Sequence, residues 1–395
     1  MGLSMKKSLY KKLLENLSTD PFTVTFWDGT VKQYNQGVPV FHIAFHRPLS
    51  TKQLTENPML ALAEGYMDKS IEVDGDLEYI IESIFNQQGS ILDQPLALRA
   101  LNKFKSTGRK QSKDNVAHHY DLGNDFYKLW LDETMNYSCA YFESPDDSLY
   151  QAQKNKTYHI LKKLNLQPGQ KLLDIGSGWG YLLIEAAKEY GVEALGVTLS
   201  EEQYKQTKRR IETEGLQGQV EVKVMDYREL IHEGTTFDRI VSVGMLEHVG
   251  HANIPTFMEH TNRLLKDKGV ALLHCITGLV EVEGNAFLNK YIFPGGQIPS
   301  VRELVDGMSQ NDLRIIDMES LRLHYTITLR HWKRNFEENL ETISQQFDER
   351  FIRMWRLYLN ACAANFTCGI SDLHQFLVTK GPNNELPMTR EYLYE

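Results

Sequence analysis

The segment Asp174-Ile175-Gly176-Ser177-Gly178-Trp179-Gly180 constrains the fold of this chain more than any other. It follows the short apolar run Lys171–Ile175, which predicts a buried strand, and precedes Tyr181–Tyr190, which predicts a helix. Glycine allows the sharp turn from strand to helix and lets a ligand approach the backbone closely. The helix N-terminus beyond favours a negative group, here a ligand carboxylate. A dinucleotide site would place Gly-x-Gly-x-x-Gly at this point and would have to admit a pyrophosphate. Here an acid precedes the glycines instead, and Asp174 suits the amino group of an amino-acid-bearing nucleotide. The alternative is a glycine-rich turn with no ligand, which the strand-to-helix setting disfavours.

The alternation continues downstream. Ala194–Val197, Val220–Met225, Phe237–Val243 and Val270–His274 read as strands, and Glu201–Glu214 and Ile254–Leu265 as helices. This predicts an α/β fold with a doubly wound, mostly parallel sheet and helices on both faces. Leu313–Leu323 and Leu373–Val378 read as late strands, and Tyr325–Ile343 and Phe351–Ala364 as late helices. The first hundred residues read as a smaller α+β domain. Phe22–Trp27 followed by Asp28-Gly29 is a strand and turn, Val38–Phe45 is β-like, and Asn57–Met67 and Leu77–Phe85 are helical. No phosphate loop or ligand cluster appears there, so this domain binds or positions something rather than reacting.

Charge excludes one class of partner. The 395 residues carry 43 Lys and Arg against 52 Asp and Glu, whereas a general nucleic-acid binder needs a basic surface. The charge is uneven: residues 1–120 hold 14 basic and 13 acidic side chains, and the remainder 29 against 39. Five cations fall within 103–113, which reads either as a solvated linker or as a polybasic segment lying against anionic headgroups. Cys139, Cys275, Cys362 and Cys368 match no zinc spacing and read as free thiols in a reducing cytosol. No run of about 18 apolar residues occurs and no signal-like apolar stretch follows Met1, so any membrane contact is expected to be peripheral.

Three further segments carry chemistry. The first is His118-His119-Tyr120-Asp121 through Tyr127 with Met135-Asn136-Tyr137-Ser138-Cys139-Ala140-Tyr141-Phe142; the second is Gly244-Met245-Leu246-Glu247-His248-Val249-Gly250; the third is Tyr291-Ile292-Phe293-Pro294-Gly295-Gly296-Gln297-Ile298-Pro299. The glycine turn resembles that of class I S-adenosylmethionine-dependent methyltransferases. Together with these segments the chain resembles the cyclopropane fatty acid synthase family over essentially its whole length. That resemblance extends to related lipid-modifying methyltransferases.

The resemblance implies S-adenosylmethionine as co-substrate, with S-adenosylhomocysteine as product, held by Tyr137, Ser138, Asp174, Gly176, Gly178, Trp179 and Gly180. Many such enzymes end the second strand with an acid for the ribose. Here Thr198, Ser200 and Gln203 stand in its place, each readable equally as a cap or a solvated side chain. Asp226, Tyr227 and Arg228 follow the third strand, where the adenine lies in this fold. The resemblance also implies a bound bicarbonate as base, held by Cys139, Glu247, His274, Ile276 and Tyr325, of which the four side-chain groups are the catalytic set. Taken singly, a histidine at a strand end or a buried cysteine is more often structural.

An alkene attacking a methyl group becomes a carbocation, so the site must exclude water, stabilise a cation and supply a base. Tyr137, Tyr141, Phe142, Tyr291 and Phe293 are candidate aromatic walls, with plain packing as the alternative for each. His119, Tyr120, Tyr291 and Phe293 are the residues expected at the lipid. No metal is expected.

The implied division is an N-terminal lipid- or membrane-binding domain over 1–102, a basic linker over 103–113 and a catalytic domain over 114–395. The implied partners are membrane phospholipids and a second copy in a homodimer, with no nucleic acid. The implied location is the cytoplasm, at the inner face of the membrane. Phe351–Ala364, with Arg350, Arg353 and Arg356, lines a chain tunnel or is a core helix. The competing functions are methylation without ring closure, giving a branched or hydroxylated chain, and a catalytically silent membrane-binding module.

Overall fold

The computed structural model of the chain describes residues 3–87, 122–281 and 284–394. The basic segment 103–113, His119 and Tyr120 lie outside these residues. The chain forms two compact units. The first comprises Met1–Lys103, Asn285–Ile292 and Leu329–Ile370, and the second Phe104–Gly284, Phe293–Thr328 and Ser371–Glu395. The N-terminal region is therefore completed by two segments from late in the chain.

In the first unit, β1 (Phe22–Thr25), β2 (Val31–Tyr34), β3 (Phe41–Phe45) and β4 (Ile71–Asp74) form one sheet in the order β2-β1-β3-β4. Period-2 alternation buries Phe22, Val24, Phe41, Ile43 and Phe45 on one face, where they pack with Tyr10 and Leu14. The helix Glu349–Thr367 is a core helix of this unit. Its arginines are committed internally. Arg353 is buried, pairs with Glu72 at 3.1 Å and lies 4.0 Å from the Tyr66 ring centroid, while Arg356 grips Glu337 through two bonds of 2.6 and 2.7 Å. Such bidentate or stacked arginines serve packing, which selects the core-helix alternative.

The second unit holds β5 (Lys171–Ile175), β6 (Glu193–Thr198), β7 (Val220–Val224), β8 (Phe237–Val243), β9 (Leu265–Gly278), β10 (Leu313–Ser320) and β11 (Ser371–Lys380). Their order is β10-β11-β9-β8-β5-β6-β7. β5 to β9 run parallel, and β11 is antiparallel to both β9 and β10. This is the doubly wound, mostly parallel sheet that the alternation predicts. Both faces are covered: Leu173, Ile175, Ile240, Leu273 and Phe376 enter one core, and Leu172, Val241, Leu272 and Leu377 the other. The order reverses between β5 and β8, which opens a crevice at their carboxyl ends.

One strand boundary departs from expectation. β9 runs to Gly278 instead of stopping at His274, because β11 pairs with it as far as Ser371 opposite Gly278. His274 is thus internal to β9, but it lies opposite Val243, the last residue of β8, and so still faces the carboxyl edge. The helix Leu149–Lys163 precedes β5 and is capped by Ser148. Its apolar pattern is obscured because Gln153, Lys156, His159 and Lys163 are buried on it alongside Leu149, Ala152, Ile160 and Leu161.

Candidate functional site

The glycine turn is built by its neighbours. Gly176, Gly178 and Gly180 all have positive φ, at 84°, 55° and 81°. The amides of Gly176 and Ser177 both donate to the Val197 carbonyl of β6, which pins the turn against the adjacent strand. A Cβ on Gly180 would stand 2.3 Å from Thr207 Cγ2, so this position serves close helix packing. Beyond the turn is a cavity lined by eleven of the residues expected to hold the nucleotide: Tyr137, Ser138, Asp174, Gly176, Gly178, Trp179, Thr198, Gln203, Asp226, Tyr227 and Arg228. Gly180 and Ser200 are not in its wall. Ser200 caps the helix Glu201–Thr213 by accepting from the Gln203 amide. Trp179 is both core and wall: it is 4% exposed, and its indole N–H donates to Asn124 Oδ1 at 2.8 Å.

Polar groups of this cavity fall into two kinds. Some are tied to one another. Thr198 donates to Gln203 Oε1 at 2.7 Å, and Arg228 forms a bidentate pair with Asp226 at 2.9 and 2.5 Å. Asp174 is different. It is buried, and its Oδ1 has no partner among the described residues. Burial raises its pKa to about 7, against the pull of nearby Lys156. A buried carboxylate oxygen left unpaired is costly unless a ligand donor meets it. The ammonium group of an amino-acid-bearing nucleotide is such a donor, so the donor set fits S-adenosylmethionine.

The sequence reading missed Lys156, which also lines the cavity. Its ammonium donates to Ser138 Oγ at 2.9 Å, and Gln153, one turn earlier, donates to the Ser138 carbonyl at 2.9 Å. Together they hold the Tyr137-Ser138 segment. The capping Ser148 and the spacing Lys156, His159, Lys163 on one helical face were the available signals.

Hydrogen bonds connect the elements that carry the proposed anion holders. Glu247 sits on a single 3-10 turn after β8, and its Oε1 accepts from the Ile276 amide at 2.7 Å. Its Oε2 is buried without a partner among the described residues, and burial raises the Glu247 pKa to about 7, partly offset by the Ile276 amide. His274 lies two residues before Ile276 on the same face of β9, 1% exposed, and its Nε2 has no partner among the described residues. Burial, with Lys156 and Lys163 nearby, depresses its pKa and keeps the ring neutral. Cys139 is fully buried, and its thiol faces the Leu321 carbonyl at 3.8 Å, just before the helix Arg322–Glu338 that carries Tyr325. The next amide, of Ala140, donates to Thr328 Oγ1 of that helix at 3.0 Å. Leu321 in turn donates to the Leu373 carbonyl, on the residue of β11 opposite Ile276.

Burial pushes the Cys139 thiol pKa up, so it stays protonated. A buried neutral thiol is a poor nucleophile. Cys139→Ser is accordingly expected to keep turnover within about tenfold of the parent, the scale of one weak hydrogen bond. Mass spectrometry that trapped a covalent adduct on Cys139 during turnover would sink that assignment.

The aromatic candidates separate. Tyr137 lines the cavity, Phe293 lies 6.4 Å from its ring centroid, and His248 is 6.0 Å from Phe293. Burial lowers the His248 pKa to about 4, so this ring adds no charge. Tyr141 is sandwiched between His159 and His324 at 4.2 and 4.7 Å. Tyr291 falls in the first unit, where its hydroxyl donates to Glu64 at 2.7 Å. Among the described residues no cluster of metal-ligating side chains occurs and no helix is long and apolar enough to cross a membrane.

Residues 107–376 match the family described as mycolic acid cyclopropane synthetase, and residues 9–95 match a domain of unknown function. A probable fatty acid methyltransferase of Pseudomonas putida is 37% identical over 95% of this chain and 96% of its own length. The cyclopropane-fatty-acyl-phospholipid synthase of Escherichia coli K12 is 37% identical over 86% and 88%. Among solved structures, mycolic acid cyclopropane synthase CmaA1 complexed with SAH and CTAB superposes with a TM-score of 0.63 at 35% identity, over 68% of this chain and 98% of that one.

Proposed function

This chain belongs to the mycolic acid cyclopropane synthetase family of S-adenosylmethionine-dependent methyltransferases, and on that premise we propose that it adds a methylene group across cis double bonds of acyl chains in membrane phospholipids, forming cyclopropane rings. The observation that carries this reading is that Glu247 Oε2 and His274 Nε2 are buried and have no partner among the described residues. A simple methyl transfer to a heteroatom has no need for them. Ring closure does, because a proton must leave the methyl carbon after transfer.

S-adenosylmethionine supplies, when bound, a methyl on a cationic sulfur. Asp174 holds its amino group, and the Tyr137-Ser138 segment, braced by Lys156, closes over it. The alkene that accepts the methyl becomes a carbocation. Tyr137 and Phe293 offer ring faces that stabilise a cation without donating a lone pair to it. Bicarbonate supplies, when bound, the base that removes the proton. His274 would donate to that anion and Glu247 would accept a hydrogen bond from its hydroxyl, while the Ile276 amide keeps Glu247 in place. Tyr325 donates from the helix side, and Cys139 closes the pocket as a small neutral group.

A lipid alkene lies within the bilayer, so the enzyme acts at the inner face of the cell membrane as a peripheral, cytoplasmic protein. The first unit and the basic segment 103–113 dock it. A homodimer doubles the docking area and strengthens weak contacts by avidity.

A second reading is methylation without ring closure. The name of the Pseudomonas putida relative, a fatty acid methyltransferase, favours it. Labelled S-adenosylmethionine with vesicles of unsaturated phospholipid separates the two. Gain of CH₂ with loss of the alkene and appearance of a ring is the expected result. A branched or oxygenated chain selects the second reading, and no label transfer defeats both. Carbonate depletion is expected to slow ring formation, and undiminished activity would remove the bicarbonate role.

A further inference from the structure

We propose that Gln375 is a positioning residue that fixes His274 in the tautomer with its proton on Nε2, so that the ring donates into the site. This rests on the reading that His274 Nε2 faces the reacting groups. Register makes the arrangement: Glu319 of β10 lies opposite Gln375 of β11, and Gln375 lies opposite His274 of β9. The three side chains form one row on one face of the sheet. The helix Leu149–Lys163 lies over that row, with Lys163 bonded to Glu319 and donating to Gln375 Oε1 at 2.8 Å.

The logic of donors decides the tautomer. An ammonium group only donates, so the Gln375 atom that meets Lys163 must be the amide oxygen. The other end of the amide, an NH₂ group, is then the one 3.2 Å from His274 Nδ1. NH₂ only donates, so Nδ1 accepts and the ring proton sits on Nε2. His159, one turn before Lys163, meets Glu319 at 2.7 Å and holds the far end of the row.

The row is expensive as mere packing. Gln375 is 1% exposed, and the Lys163 side chain is 0% exposed. Leu373 and Leu377, the neighbours of Gln375 on its own face of β11, are buried and apolar, so an apolar side chain suits this face. Buried ion pairs are weak contributors to stability compared with apolar packing. The row orients a group that donates elsewhere, as partners of metal-bound histidines do.

The test uses the full chain labelled with ¹⁵N-histidine, with His274 assigned by its loss in His274→Ala. In the parent, the His274 signals are expected to show a bare Nδ1 and a protonated Nε2. In Gln375→Glu the new carboxylate only accepts, so Nδ1 is expected to become protonated. Turnover in that variant is expected to fall about 10- to 100-fold, as for other lost partners of functional histidines. The KM for S-adenosylmethionine should stay within about twofold, since the nucleotide cavity is untouched. Gln375→Met, which keeps the volume and removes the donor, is expected to populate both tautomers and fall between. A protonated Nδ1 in the parent would overturn the proposal without any variant, and so would parental turnover by Gln375→Glu. If turnover and tautomer shift as expected while carbonate depletion leaves the parent unaffected, the positioning role stands and the bicarbonate reading falls.

Discussion

Glu247→Gln is expected to reduce turnover by about 10²–10⁴-fold, the range of a lost acid–base group. The substitution is nearly isosteric, and the amide oxygen can still accept from the Ile276 amide that holds Oε1 at 2.7 Å. What changes is Oε2, now buried and unpartnered, which becomes a donor where an acceptor is required. Label transfer to unsaturated vesicles measures the loss, and retention of more than a tenth of parental turnover would remove Glu247 from the chemistry. The pH dependence follows from burial. The Glu247 pKa is raised to about 7 from 4.5, so the carboxylate form grows as pH rises through neutrality. Activity should rise over that range and flatten in the variant. The sign for stability is opposite. A raised folded-state pKa contributes stability below the unfolded value, and that contribution is lost as pH rises toward 7. Urea unfolding at pH 8 should therefore show the glutamine variant at least as stable as the parent, which separates lost chemistry from lost folding.

Asp174→Asn is expected to weaken S-adenosylhomocysteine binding about 10- to 100-fold, equivalent to one charge-assisted hydrogen bond. Asp174 is 3% exposed, and its free oxygen faces the cavity lined by the glycine turn. Its pKa, raised to about 7 by burial, means that the ligand ammonium meets a carboxylate only once a proton has left. Affinity of the parent should rise with pH through about 7, and the asparagine variant should lose that slope. Titration calorimetry at pH 6 and pH 8 reads both effects. Equal affinities for parent and variant at pH 8 would place the amino group elsewhere.

Much of the cavity wall was legible in the chain order because it is local. Asp174 to Gly180 are contiguous, Thr198 and Gln203 are five residues apart, and Asp226 to Arg228 are adjacent. Each group lies at the end of a strand whose apolar run announces it. Local reading left a cap open as the alternative for Ser200, and the cap is what the structure shows, while the close packing of Gly180 against Thr207 has no local signal. It also could not see that Arg353 and Arg356 would be consumed by Glu72 and Glu337. Those partners are remote in sequence, and charge on a helix reads as solvent-facing until its partner is known.

The sequence by itself determined the doubly wound fold, the glycine turn and the residues expected near the carboxyl edge. These follow from periodicity, glycine geometry and motifs a few residues long. Only the tertiary structure decided which of those groups are already bonded and which are left facing the site. Asp226 is paired, while Asp174, Glu247 and His274 each keep one buried atom without a partner among the described residues. Strand register alone set Glu319, Gln375 and His274 in one row beneath Lys163. Hydrogen-bond satisfaction belongs to atoms brought together across the sheet, and no linear pattern encodes it because a one-residue slip would turn every side chain of the row to the other face.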